Sequence, residues 1–163
     1  MSNASIPYNN WILQQDGASS FGKACSILVG NKILSLFNII EHMTCSEVVR
    51  QLLAGNALYA ASSPFALAAA LLDEMSIPKE SLFSLYGTPY LTSPVGEWIV
   101  KTELDAASML GKNIQEIREI VSVEELHGLY DLYHVYYDSN VIIAEQYLPK
   151  IQAVHQQELE QIK

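Results

Sequence analysis

The stretch "SPVGEWIVKTELDAASMLGKNIQEIREIVSVEE", residues 93–125, decides the fold class because helix starts and a helix stop follow one another closely in it. A serine before a proline places a capping hydroxyl next to a preorganised first turn. Asn or Ser followed three residues later by Glu is a capping box, and Gly accommodates the left-handed exit of a helix. These signals predict three consecutive helices, delimited by Ser93–Pro94, Gly111, Asn113 with Glu116, and Ser122 with Glu125.

The same signals predict helices on both sides of this stretch. Upstream, "NNWILQQ" is typical of one short helix and "SSFGKACSILVGNKILSLFNIIEHM" of one long or broken helix, with Gly30 as its weak point. Downstream, we expect one helix over residues 123–147, and Pro149 predicts a break or kink before a last helix. The other predicted starts are Thr44 with Glu47, Ser63–Pro64, and Pro78.

No segment alternates apolar and polar residues with the period of two that a half-buried strand requires. We therefore predict an all-α chain, folded as a single compact, bundle-like helical domain of about seven to nine helices over residues 1–163. Residues 1–8 are expected to be disordered or derived from a tag, because Ser-Asn-Ala resembles the remnant of tag cleavage.

Charge and hydropathy limit the classes of partner. Nine Lys and Arg against 18 Asp and Glu give a net charge of −9, whereas phosphate backbones are bound chiefly by basic side chains. We therefore expect no nucleic acid, and instead a protein partner with a basic surface.

The longest uncharged stretch tests whether the chain enters a membrane. Residues 51–72 carry no charge, but Gly55–Asn56 and Ser62–Ser63–Pro64 interrupt them, which favours buried helices over a membrane span. No secretory signal is visible at the N-terminus, so a cytoplasmic location is expected. A homo-oligomer is compatible with all of these features.

A polar stripe follows the predicted helix over residues 123–147. Its members share one narrow face at about 100° per residue, while most other positions are apolar or aromatic. Because an unpaired charge costs several kcal/mol to bury, we expect this face to meet water. The stripe consists of His127, Asp131, His134, Asp138 and Glu145, and a row of tyrosines, Tyr130, Tyr133 and Tyr137, lies next to it.

Tyrosines beside carboxylates resemble the aromatic centre and polar rim of a protein interface. Together with the negative charge, they predict a non-catalytic acidic protein-interaction domain of the inhibitor or immunity, chaperone or adaptor type. Such a domain would bind a basic protein and need no cofactor. The predicted interaction residues are Tyr130, Tyr133, Tyr137, His127, Asp131 and Asp138.

The alternative is a helical bundle that binds a metal or cofactor through Glu124, His127, Asp131 and His134. Glu124 and His127 have the Glu-x-x-His spacing that places two ligands on one helical face in di-iron bundles. Such a centre needs a second copy of the motif, and the sequence has none. Metal binding is therefore the second hypothesis.

A third hypothesis is nucleotide binding. "GASSFGKAC", residues 17–25, resembles the phosphate-binding loop of P-loop nucleoside triphosphatases, since Gly17, Gly22 and Lys23 occupy the G-x-x-x-x-G-K positions. Ala24 stands where that family has the Ser or Thr that ligates magnesium. The preceding residues are also too short and too polar to form the required buried strand.

The serine and cysteine residues do not form a recognisable catalytic motif. There is no G-x-S-x-G sequence, and Cys25 and Cys45 stand twenty residues apart. We expect both thiols to be free and buried, with no histidine at a spacing that places it beside either. The chain is therefore expected not to be an enzyme.

Overall fold

The computed structural model describes residues 6–135 and 138–162. It is 75% helical, has no strands among the described residues and has eight helices of seven or more residues, which confirms the predicted fold class. The elements are α1 (Ile6–Gly30), α2 (Leu36–Met43), α3 (Glu47–Leu53), α4 (Ala57–Ala60), α5 (Pro64–Glu74), α6 (Glu80–Phe83), α7 (Pro94–Leu110), α8 (Ile114–Ile120), α9 (Val123–Tyr133), α10 (Asn140–Ile142), a π-helical turn (Ile143–Tyr147) and α11 (Leu148–Ile162).

Helices α1 and α7 pack against each other along most of their lengths. Gly30 lies against Thr92, while Gly22, two turns earlier in α1, lies against the backbone of Glu97 in the first turn of α7. The two helices are therefore antiparallel. Their buried side chains, which include Phe21, Leu28, Ile99 and Leu104, belong to the core that extends from Ala18 to Tyr147.

Helix α1 differs from the prediction because it runs unbroken from Ile6 to Gly30. Residues 6–8, which were expected to lie outside the fold, form its first turn, and residues 1–5 lie outside the described part of the chain. Gly17 to Lys23 lie inside α1, so they do not form the loop that the third hypothesis, nucleotide binding, requires. The glycines have a packing role instead: a Cβ on Gly17 would come within 2.7 Å of Leu52 Cδ2.

Most of the predicted helix starts are confirmed. Ser63 and Ser93 accept from backbone N–H groups of the helices they precede, and both capping boxes, at Asn113 and at Ser122, are complete. Gly111 has the expected positive φ, 63°. The uncharged residues 51–72 fall in the separate helices α3, α4 and α5. Within the described ranges, no helix is long and apolar enough to span a membrane.

The start of α3 was predicted wrongly. Ser46 is its N-cap and accepts from Val49 N, whereas Thr44 ends α2. The carboxylate of Glu74 in α5 adds to this cap, because its Oε1 accepts a hydrogen bond from Val48 N at 2.6 Å. A side chain from a distant helix therefore completes the capping that Ser46 begins.

The predicted helix over residues 123–147 is also wrong as one element. Helix α9 ends at Tyr133, and residues 136 and 137 lie outside the described part of the chain. Asp138 then accepts from both the backbone N–H and the side-chain amide of Asn140, each at 2.9 Å, and so prepares the start of α10. Before Pro149 the chain forms the π-helical turn, in which Leu148 N donates to Ile143 O. The proline thus follows a local widening of the helix rather than a break.

Candidate functional site

A cleft of about 540 Å³ opens between α7, the end of α9 and the start of α10. Its aromatic wall is a row of three rings. Trp98 meets Tyr130 edge to face, with ring centroids 5.7 Å apart, and Tyr130 stacks on His134 with centroids 4.4 Å apart. His134 Nδ1 lies 2.6 Å from the carbonyl oxygen of Tyr130, which holds the imidazole ring over the tyrosine.

The charges around this cleft are partly compensated. Lys101 Nζ lies 2.7 Å from Asp105 Oδ2, and Ser139 Oγ donates to the same oxygen at 2.6 Å. Asp105 is buried behind the cleft, so its charge offsets that of Lys101. The remaining charged side chains in the wall are the carboxylates of Glu97 and Asp138 and the ammonium of Lys23.

Two neighbouring hollows extend the cleft into a groove. One, of about 320 Å³, shares Lys23 and Glu97 with the cleft and contains Phe65 and Tyr90. The other, of about 400 Å³, shares Lys101, Asp138 and Ser139 and contains Trp11 and Met109. We call the three hollows together the α7 groove.

Helix α7 forms the floor of this groove. Its residues Glu97, Lys101, Asp105 and Met109 recur every fourth position, which places them on one face of the helix. Pro94 and Met109 line opposite ends of the groove. At about 1.5 Å per residue, they are roughly 22 Å apart along the helix axis.

The structure brings part of the predicted interaction set together at the cleft. Tyr130, Tyr133 and Asp138 line it, as does His134. Tyr133 is buried, and its hydroxyl donates to Glu145 at 2.5 Å and accepts from Gln146 at 3.0 Å. Tyr137 lies outside the described residues.

His127 and Asp131 are exposed on α9 and do not line the cleft. The expected outward orientation therefore holds for these two members of the stripe, and Glu124 on the same helix is exposed as well. Glu145 belongs to the later π-helical turn and not to the same helix.

Sequence reasoning missed the α7 side of the groove. Trp98, Glu97 and Lys101 are as much a part of the walls as the tyrosines of α9. The available signal was the row of charged residues at four-residue intervals in α7. At helical periodicity, this spacing places the charged side chains on one face of α7.

The structure does not support the metal hypothesis. Glu124, His127, Asp131 and His134 are all exposed. Among residues 6–135 and 138–162 there is no group of three or more His, Cys, Asp or Glu side chains that could hold a metal ion.

The two cysteines differ from each other, contrary to the prediction that both are buried. Cys25 is fully buried, and burial raises the pKa of its thiol. Cys45 is exposed and has His42 beside it, one helical turn earlier. The spacing His-x-x-Cys in "HMTC", residues 42–45, was the signal for this neighbour.

The chemistry available in the α7 groove is that of recognition. Aromatic faces next to carboxylates suit an organic cation, which gains from the ring electrons and from the negative charges at once. The apolar ends at Phe65 and Met109 suit hydrophobic side chains. Comparisons of the chain with protein-family models, with curated proteins and with solved structures find no significant match.

Proposed function

We propose that this protein is a non-catalytic binding domain that takes a segment of a basic protein into the α7 groove. The observation that carries the proposal is the row of rings formed by Trp98, Tyr130 and His134, which opens beside Glu97 and Asp138. Aromatic residues that bury part of their surface and remain accessible at a cleft are typical of the centres of protein interfaces.

The excess of acidic side chains on this protein supports a partner with a basic surface. Lys101 is compensated by Asp105, and on the neighbouring face of α9 the ammonium of Lys150 pairs with Glu125. Glu124 and Asp131 are exposed on α9, and neither forms an ion pair with another residue in the described part of the chain. With a net charge of −9 on the whole chain, a basic segment is attracted at long range. At the cleft it is held by Glu97 and Asp138, whose two negative charges exceed the single positive charge of Lys23.

The shape of the groove supports a polypeptide segment over a small molecule. A small molecule fills one hollow, whereas a segment with apolar residues on either side of an Arg or Lys reaches all three. Inhibitors, immunity proteins, chaperones and adaptors bind segments in this way, and we place the protein in that group. A cytoplasmic location belongs to the proposal, because an exposed free thiol such as Cys45 persists in a reducing compartment.

The proposal is tested by selecting peptides from a displayed random library on the full-length protein. We expect the selected peptides to contain Arg or Lys flanked by aromatic or aliphatic residues, and their affinity to fall as salt is added. Tyr130→Ala should weaken binding at least about tenfold, because it removes the central ring of the row.

Phe37→Ala is the matched control for this substitution. Phe37 is an aromatic residue that is 66% exposed on α2 and is absent from the walls of the groove. Its replacement should leave affinity unchanged. Selection of acidic peptides, or equal effects of the two substitutions, would contradict the proposal.

A further inference from the structure

Three side chains form a chain of contacts where α2, α3 and α5 meet, and none of them lines the α7 groove. Cys45 Sγ lies 3.7 Å from His42 Nδ1, and His42 Nε2 lies 2.7 Å from Glu74 Oε2. A nucleophile, a base and a carboxylate that orients the base have this arrangement in thiol enzymes and in reactive thiols.

Glu74 is held firmly enough to fix the imidazole. Its Oε2 also accepts from Ser46 Oγ at 2.7 Å, and its Oε1 accepts from Val48 N at 2.6 Å. Because a carboxylate accepts hydrogen bonds, the His42 nitrogen that faces Glu74 carries the proton. In the neutral imidazole, Nδ1, the nitrogen that faces the thiol, is then the one with a free electron pair.

The thiol has two acceptors within reach. Besides Nδ1 of His42, its sulfur lies 3.4 Å from the carbonyl oxygen of the same residue. Rotation about the Cβ–Sγ bond therefore turns the S–H group of Cys45 from the carbonyl oxygen of His42 to its Nδ1. The carbonyl oxygen can only accept a hydrogen bond, whereas the imidazole nitrogen can also take up the proton.

We propose that Cys45 is a reactive thiol that forms a mixed disulfide with a low-molecular-weight disulfide, with His42 as the base and Glu74 as a positioning residue. His42 Nδ1 takes the proton of the thiol, and Sγ attacks one sulfur of the disulfide. The new S–S bond forms as the old one breaks, and the leaving thiolate receives the proton from His42. Cys45 is oxidised and the departing half of the disulfide is reduced, so no other oxidant is needed.

Access distinguishes Cys45 from the other thiol of the chain. Cys45 is exposed and lines a hollow of about 260 Å³ between α3 and the start of α8. Thr44, Asn113 and Gln115 also line this hollow and offer hydrogen-bonding groups to a peptide-like disulfide such as glutathione disulfide. Cys25 has no exposed surface and serves as an internal control.

The size of the effect follows from thiol ionisation. An ordinary thiol with a pKa of about 8.5 is only about 3% ionised at pH 7, so removal of its proton raises the rate by at most about thirtyfold. Since a more acidic thiol is also a weaker nucleophile, we expect an acceleration of about tenfold.

The test is the rate at which the folded full-length chain forms an adduct with glutathione disulfide, followed by mass spectrometry with the modified residue mapped. We expect one adduct, on Cys45, which forms at about pH 7 roughly tenfold faster than on the same residue of the urea-unfolded chain. His42→Asn should remove this acceleration at about pH 7 and make no difference at about pH 10, where thiols ionise unaided.

A merely structural role of His42 would leave the pH dependence of the rate unchanged. If His42→Asn does not fold, the comparison of the folded with the unfolded wild-type chain still decides the question, and Glu74→Gln supplies a milder variant. Equal rates in the folded and the unfolded chain at about pH 7, or adducts on Cys25 before Cys45, would overturn the proposal.

Discussion

Arg118 binds the carboxylate of Glu103 through two parallel hydrogen bonds, from Nε to Oε2 at 2.9 Å and from Nη2 to Oε1 at 2.8 Å. Glu103 is completely buried in α7, and Arg118 lies in α8. The third guanidinium nitrogen, Nη1, donates to the carbonyl oxygen of Ile40 in α2 at 2.9 Å. One side chain thus joins three helices and satisfies a charge in the core.

Arg118→Met should strongly destabilise the protein. Removing one partner of a buried pair leaves the other charge uncompensated, and this typically costs about 3–5 kcal/mol of the free energy of unfolding. Urea unfolding at about pH 7.5 measures the loss. Arg50→Met is the control, because the pair of Arg50 with Glu47 is exposed and its removal should cost much less than removal of the Arg118 pair. Similar losses in the two variants would contradict this account of the core.

The destabilisation by Arg118→Met should shrink as pH falls. Burial raises the pKa of Glu103, and Arg118 opposes that rise, so the pKa climbs further when Arg118 is absent. At pH values between the pKa of Glu103 in the unfolded chain and its higher pKa in the folded chain, the native state binds more protons than the unfolded state. The free energy of unfolding therefore increases as pH falls through this range. Urea unfolding at about pH 5 should therefore show a smaller difference from wild type than at about pH 7.5. A larger difference at the lower pH would reverse the sign and refute the argument.

Hydrogen bonds from Arg50 and Gln51 lower the pKa of Glu47 to about 2. In Arg50→Met we expect this pKa to return toward the usual range of a glutamate, because the substitution removes the guanidinium group that donates to Glu47 and carries the positive charge. Carboxyl chemical shifts followed by NMR through an acid titration report the change. An unchanged pKa of Glu47 would show that the pair does not persist in solution.

Two glycines should respond to alanine in opposite directions. A Cβ on Gly30 would come within 2.6 Å of the backbone of Thr92, so Gly30→Ala must push α1 away from the segment before α7. We expect a loss of about 1–3 kcal/mol in the free energy of unfolding.

The matched substitution is Gly128→Ala. A Cβ on Gly128 meets nothing within 4 Å, and the residue lies in the interior of α9. There alanine should stabilise the helix by about 0.5–1 kcal/mol. Thermal or urea unfolding compares the two variants, and a gain from Gly30→Ala would contradict the packing of α1 against Thr92.

The sequence predicts those features of this fold that depend on neighbours along the chain. The capping residues Ser63, Ser93, Asn113 and Ser122 mark helix starts correctly because a cap and the N–H groups it satisfies lie within one turn. The start of α3 was assigned to Thr44 because Thr44 and Glu47 have the spacing of a capping box, whereas Ser46 provides the cap and the distant carboxylate of Glu74 completes it.

The candidate site was predicted only in part for the same reason. Tyr130 and His134 could be placed on one face of α9, but their meeting with Trp98 depends on how α7 packs against α9. Helix α9 ends at Tyr133, and the hydroxyl of Tyr133 binds Glu145 of the π-helical turn, which is also a tertiary contact. Periodicity alone continues the helix through residues 134–139, because it contains no information about such contacts.

The most direct test of the account uses the fluorescence of Trp98. The chain has two tryptophans, Trp11 and Trp98, so Trp11→Phe leaves Trp98 as the only reporter and keeps an aromatic ring at the far hollow. A basic peptide recovered from the library is titrated into this variant, and its counterpart with Glu in place of each Arg and Lys serves as the control. The account predicts a saturable change in Trp98 emission with the basic peptide, weakened by added salt and lost with Tyr130→Ala. No change at millimolar basic peptide, or the same change with the acidic counterpart, would contradict it.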